Sequence, residues 1–127
     1  MGSFDFENLN LYQKSLEFIN LVYKQTNTFP RDEIYGLTSQ YRRAANSIAL
    51  NLGEGYGESV PLNIRYLRIS KGSVRECVVC SSIALSQGYI SITDNREARE
   101  LLIDLSKMAS GYKKYLEKKL VEIKNKK

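Results

Sequence analysis

The sequence predicts an all-α fold, an antiparallel up-down four-helix bundle, from three observations. Apolar residues recur at spacings of three and four along nearly the whole chain. There are only two prolines, and each apolar run stops at a cluster of residues that end helices. Four such runs joined by short links pack most simply as antiparallel neighbours. At 127 residues the chain makes one domain, 1–127, with a single core.

The first helix is expected over about 9–27, where Leu9, Tyr12, Leu16, Ile19 and Tyr23 form one stripe, widened by Phe18 and Val22. "TFPRDEIYG" interrupts it, because Pro30 cannot continue a helix and Gly36 is a second breaker. The second helix covers about 37–55 and carries Leu37, Tyr41, Ala44, Ile48 and Leu52 inward. "GEGYG" follows a helix, so it is read as a C-cap and turn; a phosphate-cradling loop would follow a strand. Ser59 is a candidate N-cap with Pro61 in the first turn of a helix over about 61–87, closed by Gly88. Its inward side is expected to be Leu62, Tyr66, Val74, Cys77, Cys80 and Ala84. Tyr89–Ile92 is briefly β-like, and Asp94 with Glu97 resembles a capping box for the last helix, about 94–124. That helix carries Ala98, Leu101, Leu105, Met108, Tyr112, Tyr115, Leu116 and Leu120 inward, close to a heptad.

Hydrophobic content of 43% with 26% charged residues is that of a soluble globular protein, and no run is long enough to span a membrane. The N-terminus has no basic-then-apolar leader pattern, so a cytoplasmic protein without membrane contact is expected. Histidine is absent, which removes the commonest general base and the commonest metal ligand. Cys77 and Cys80 lack a second ligand pair and a strand–helix context, so they are read as small core residues. No nucleophile stands beside a base. The expectation is no enzyme, no catalytic residue, no metal and no cofactor.

One row of the second helix is too polar for a simple amphipathic element. Gln40, Arg43, Ser47, Asn51 and Glu54 fall within an arc of roughly 80° next to the core stripe. Groups so placed need partners, and Ser73 and Glu76 of the third helix are candidates, with Arg43 able to pair bidentately with a carboxylate. The row is read as a structural polar network within or between subunits, with a ligand cleft as the alternative. Arg43→Ala or Glu54→Ala is then expected to weaken folding or assembly first.

The formal net charge is +5, from 19 Lys and Arg against 14 Asp and Glu. Arg65, Arg68, Lys71 and Arg75 lie within about 120° of the third helix, opposite its apolar side, with no acid among them. They are candidate phosphate contacts, together with Lys113, Lys114 and Lys118 of a Lys-rich segment that continues through Lys119, Lys124, Lys126 and Lys127. The nine tyrosines mostly fall at core spacing and are read as packing before base stacking.

"LYQKSLEFINLVYKQTNTFPRDEIYGLTSQYRRAANSIALNLGEGYG", "YLRISKGSVRE" and the "GYI" before the last helix together resemble a known family. It comprises the four-helix-bundle proteins encoded in intervening sequences of bacterial 23S ribosomal RNA genes, also called ribosomal protein S23-like. The resemblance covers nearly the whole chain. It implies a bundle that assembles into a ring-shaped homopentamer, and a relationship to the accessory protein of diversity-generating retroelements, a basic barrel that binds reverse transcriptase and nucleic acid. The positions that carry over are Gln40, Arg43, Ser47, Asn51, Glu54 and Gly55, then Gly72, Ser73 and Glu76. Tyr12 stands where the family often has Trp. Glu58 stands where it usually has a basic residue, which argues against an anion contact in that turn.

The leading functional expectation is a non-catalytic homo-oligomer that binds nucleic acid, RNA before DNA, through basic helix faces. Five copies of +5 would total about +25 and concentrate positive potential. The second expectation is a scaffold or accessory subunit that docks a partner enzyme such as a reverse transcriptase.

Overall fold

Four helices follow the four apolar runs in a computed structural model that describes residues 4–126; Lys127 of the basic tail and Met1–Ser3 of the N-terminal reading lie outside the described residues. α1 spans Asn10–Thr26, α2 Leu37–Gly55, α3 Val60–Ser86 and α4 Ile92–Asn125. Short 3₁₀ turns at Asp5–Asn8 and Arg31–Glu33 precede α1 and α2. Among the described residues all regular structure is helical. α2 packs on α1 and α3, and α4 packs on α3 and α1, which closes an up-down bundle.

The helix ends have local causes. Ser59 caps α3, its Oγ accepting the Leu62 N–H at 3.4 Å, with Pro61 in the first turn. Gly88 has φ +77°, a left-handed conformation that costs glycine little. It lets the Tyr89 N–H reach Ala84 O at 2.8 Å and the Gly88 N–H reach Leu85 O at 3.0 Å, a Schellman closure of α3. The residues Tyr89–Ile92 are therefore not a strand: they form the turn and the start of α4. The capping box of α4 lies three residues before the expected Asp94 and Glu97. Ser91 is the N-cap, accepting from Asp94 N at 3.0 Å, and Asp94 Oδ2 accepts the Ser91 N–H at 3.2 Å.

The core contains Phe18, Val22, Tyr41, Ala45, Ile48, Leu67, Cys77, Ala84, Leu102 and Leu105, all essentially inaccessible. Burying side chains of this size stabilises the fold by about 1.5–3 kcal/mol each for the larger apolar ones. Three expected faces are turned slightly. In α1 the buried side is Leu11, Ser15, Phe18 and Val22, while Leu16 and Tyr23 are exposed. In α3 Leu62 is exposed, and Ile64 and Leu67 take the inward positions. In α4 Leu102 and Ala109 are buried, whereas Tyr115 points outward at 58% exposure.

The α2–α3 seam is close because its residues are small. A Cβ on Gly55 would lie 2.9 Å from Tyr66 Cβ and 3.2 Å from Asn63 Cα, so only glycine allows this approach. Ser70 sits in the same seam and donates its hydroxyl to Ile48 O at 2.9 Å. Two cross-links set the antiparallel register of α3 and α4: Asn63 Nδ2 donates to Tyr112 Oη at 3.0 Å, and Ser81 Oγ donates to Asn95 Oδ1 at 2.8 Å. On the other side Gln25 Nε2 donates to Asp94 O at 3.0 Å and joins α1 to α4.

Candidate nucleic-acid interface

The polar row of α2 divides where the helix turns away from α3. Ser47 Oγ accepts from Ser73 Oγ and from Asn51 Nδ2, both at 2.9 Å, and Asn51 Nδ2 also reaches Ser47 O at 2.8 Å. These three side chains make a small interhelical network, with Ser73 buried. Gln40, Arg43, Glu54 and Glu76 do not join it. All four face solvent, and among the described residues none makes a side-chain hydrogen bond or an ion pair. The expected Arg43–carboxylate pair within the chain is thus not formed, because Arg43 sits at the middle of the outward face rather than at the α3 edge.

The arginine that holds helices together is its neighbour. Arg42 Nε donates to Thr26 Oγ1 at 2.8 Å, one Nη donates to Asn27 Oδ1 at 3.1 Å, and the guanidinium lies 4.7 Å from the Tyr23 ring centroid. It closes the C-terminal end of α1. Arg42 also borders an open hollow of about 550 Å³ on the outer side of α2, shared with Arg43, Thr38, Asn46 and Leu50.

The basic candidates fall into two separate regions. Arg65, Arg68 and Arg75 are exposed on α3 and Lys71 is half-buried. Arg75 shares a hollow of about 180 Å³ with Arg99 of α4, floored by Val74, Val78, Leu102 and Ile103 and edged by Ser106. No carboxylate lines it. Arg99 was not singled out in the sequence, because on α4 alone it stands between Glu97 and Glu100; only the packing of α3 on α4 pairs it with Arg75. Lys114 and Lys118 are exposed and Lys113 is half-buried near the other end. Since Tyr112 is level with Asn63, Lys118 lies beyond the first residue of α3. It stands about 27 Å along α4 from the level of Arg75, at 1.5 Å per residue.

A third concavity, about 810 Å³, runs between α1 and α2. Tyr12, Leu16, Ile19, Ala49 and Leu50 form its walls, and Glu54 and Glu58 stand at its rim. Leu50 is 67% exposed there. Glu58, already an acid in the sequence after the glycines, thus borders an apolar groove.

The titratable groups of the interior are held neutral. Burial raises the thiol of Cys77 far above its ordinary value and that of Cys80 to about 11. Both cysteines are free and buried, as expected of core residues. Burial likewise raises the Tyr41 phenol strongly, against a small lowering influence of Ser81. Among the described residues no group of His, Cys, Asp or Glu is arranged to hold a metal ion.

Residues 7–111 match the family described as 23S rRNA-intervening sequence protein. Among solved structures, the chain is similar to a protein of unknown function from the S23 ribosomal protein family of Bacteroides thetaiotaomicron. The TM-score is 0.75 at 19% identity, over 82% of this chain and 98% of that one, which speaks to the fold. No curated protein matches the sequence.

Proposed function

This chain belongs to the 23S rRNA-intervening sequence protein family, and we propose that it is a non-catalytic, homo-oligomeric bundle that binds RNA through the α3–α4 face. The observation that carries this reading is the hollow shared by Arg75 and Arg99, with Arg68 and Arg65 further along α3 and no acid lining it. Guanidinium groups without carboxylate partners are available to phosphate oxygens. A homopentamer, the assembly the sequence resemblance implies, would repeat this face five times and raise local affinity by multivalency. No helix of the described residues is long and apolar enough to cross a membrane; the reading places the protein in the cytoplasm.

Filter binding of a structured RNA at several salt concentrations tests it. With four phosphate contacts, log K should fall against log salt with a slope of about −3 to −4. R75E combined with R99E should weaken binding and reduce that slope by about two. Binding that is absent at low salt, or indifferent to salt, overturns the proposal.

A second reading is an accessory scaffold that docks a partner enzyme, for example a reverse transcriptase. The apolar α1–α2 groove with the exposed Leu50 favours it. Pull-down after nuclease treatment separates the two: a scaffold keeps its protein partner and shows little affinity for free RNA.

A further inference from the structure

One end of the bundle collects aromatic rings, of which Tyr12 and Tyr112 pack against the core while Phe4 and Tyr115 are exposed. Phe4 is 69% exposed and lies 6.0 Å from the Phe6 ring at 27°, and Phe6 in turn meets Tyr12 and Tyr56. On α4 the rings of Tyr112 and Tyr115 are 6.3 Å apart and nearly parallel, at 12°. Tyr112 is anchored by Asn63, while Tyr115 presents its ring to solvent. The helical neighbours of Tyr115 at three and four residues are Lys118 and Lys119 on one side, and Tyr112 and Gly111 on the other. A Cβ on Gly111 would meet nothing within 4 Å, so the space one turn before Tyr115 is open. Lys114 is exposed next to it in sequence.

We propose that Tyr115, braced by Tyr112 and surrounded by Lys114, Lys118 and Lys119, is a stacking platform for an unpaired nucleobase. The proposal deepens the RNA-binding reading and rests on it: the ligand is a single strand or an unpaired loop rather than a continuous duplex. A duplex keeps its bases stacked on each other and offers an exposed tyrosine only its backbone. An unpaired nucleotide offers a π-face to the ring while its phosphates meet the lysines. The same lysines disfavour a second copy of this chain meeting the patch face to face, because each copy would bring three ammonium groups to one contact.

Fluorescence anisotropy with labelled rU15, dT15 and a duplex of equal length tests the assignment, using wild type, Y115A, Y115F and Y115L, with circular dichroism to confirm folding. Wild type should favour the single strands over the duplex. Y115A and Y115L should lose about 5- to 100-fold in single-strand affinity with an unchanged salt slope, and Y115F should stay near wild type. Preference for rU15 over dT15 would assign contacts to the ribose hydroxyl, and equal binding would assign the platform to single strands of either sugar. Y115A and Y115L proteins that bind single strands as wild type does, or lose single-strand and duplex affinity equally, overturn the platform while leaving the RNA-binding reading intact. Loss of oligomeric mass in Y115A without loss of single-strand affinity also overturns it and makes Tyr115 a subunit contact. Wild type that binds none of the three probes, nor structured RNA, overturns the underlying reading itself.

Discussion

Tyr89 donates its hydroxyl to Glu33 Oε2 at 2.9 Å, while Glu33 Oε1 accepts the N–H of Leu37 at 3.0 Å. One carboxylate thereby fastens the first turn of α2 to the link between α3 and α4. The Phe29 ring, 5.5 Å from Tyr89, packs beside the same junction. The Leu37 N–H first and the Tyr89 hydroxyl second hold the Glu33 carboxyl below its ordinary value of 4.5. The phenol of Tyr89 is raised by the same bond.

The sign of the pH effect follows from that lowering. A carboxylate whose pKa is depressed by folding adds stability above its unfolded value, and the contribution is lost as pH falls through the folded value. E33Q should therefore melt a few degrees below wild type at pH 7, and the gap should narrow as pH falls below 4.5. Thermal melts at pH 7 and pH 3 check this; a gap that widens in acid counts against the junction.

The Ser73–Ser47–Asn51 network should matter more to the fold than the charged members of the same row. S73A removes one interhelical bond and should cost about 1 kcal/mol. R43A removes a side chain with no partner inside the chain and should leave the unfolding free energy within about 0.5 kcal/mol. Urea unfolding of the two variants decides it. A change in oligomeric mass of R43A, read by light scattering, would assign Arg43 to a subunit contact.

The Tyr41 hydroxyl is buried and makes no hydrogen bond of good geometry; Ser81, whose own proton goes to Asn95 Oδ1, is the polar group beside it. Removing an unsatisfied buried polar atom relieves its desolvation cost while leaving the ring in place. Y41F should be more stable than wild type by about 1 kcal/mol. Chemical denaturation measures it, and a loss of stability would mean that the hydroxyl is satisfied by a buried water.

G55A should destabilise the α2–α3 seam in spite of alanine's better helix propensity. The added methyl meets Tyr66 Cβ at 2.9 Å and backbone at Asn63, neither of which is a flexible tip. Propensity favours alanine by about 1 kcal/mol, and overpacking costs about 1–3 kcal/mol. G111A is the control, since at Gly57, with φ +85°, any side chain would be strained. Gly111 has open space, so G111A should raise the melting temperature while G55A lowers it.

Helix number, order and limits were legible because breakers, caps and apolar periodicity agree with one another. The bounds of α2 coincide with the spacing, and those of the others shift by a residue or two. The orientation of α1 was less legible because polar residues occupy core positions. Ser15 and Thr26 bond their hydroxyls to Tyr12 O at 2.6 Å and Val22 O at 2.7 Å, so each is satisfied inside its own helix and can face the core. A period count that treats serine and threonine as outward markers then places the stripe one position off. The polar row was legible as a set but not as a structure, since only the edge nearest α3 finds partners. Arg99 and Tyr115 were hidden for opposite reasons. Arg99 acquires its partner only through packing, and Tyr115, expected inward from its spacing, is turned outward because Leu116 beside it takes the buried position.

The α1–α4 seam joins the two elements farthest apart in the chain, whereas the other seams join sequence neighbours. Its closure therefore carries the largest loop-entropy cost and should form late, after α2, α3 and α4 have assembled from local contacts. The seam also contains Gln25, whose amide nitrogen holds Asp94 O while its oxygen is buried without a partner. Amide hydrogens of α1 should accordingly exchange with solvent before those of α2 and α3, and the bundle would open like a door hinged on the Arg31–Gly36 link.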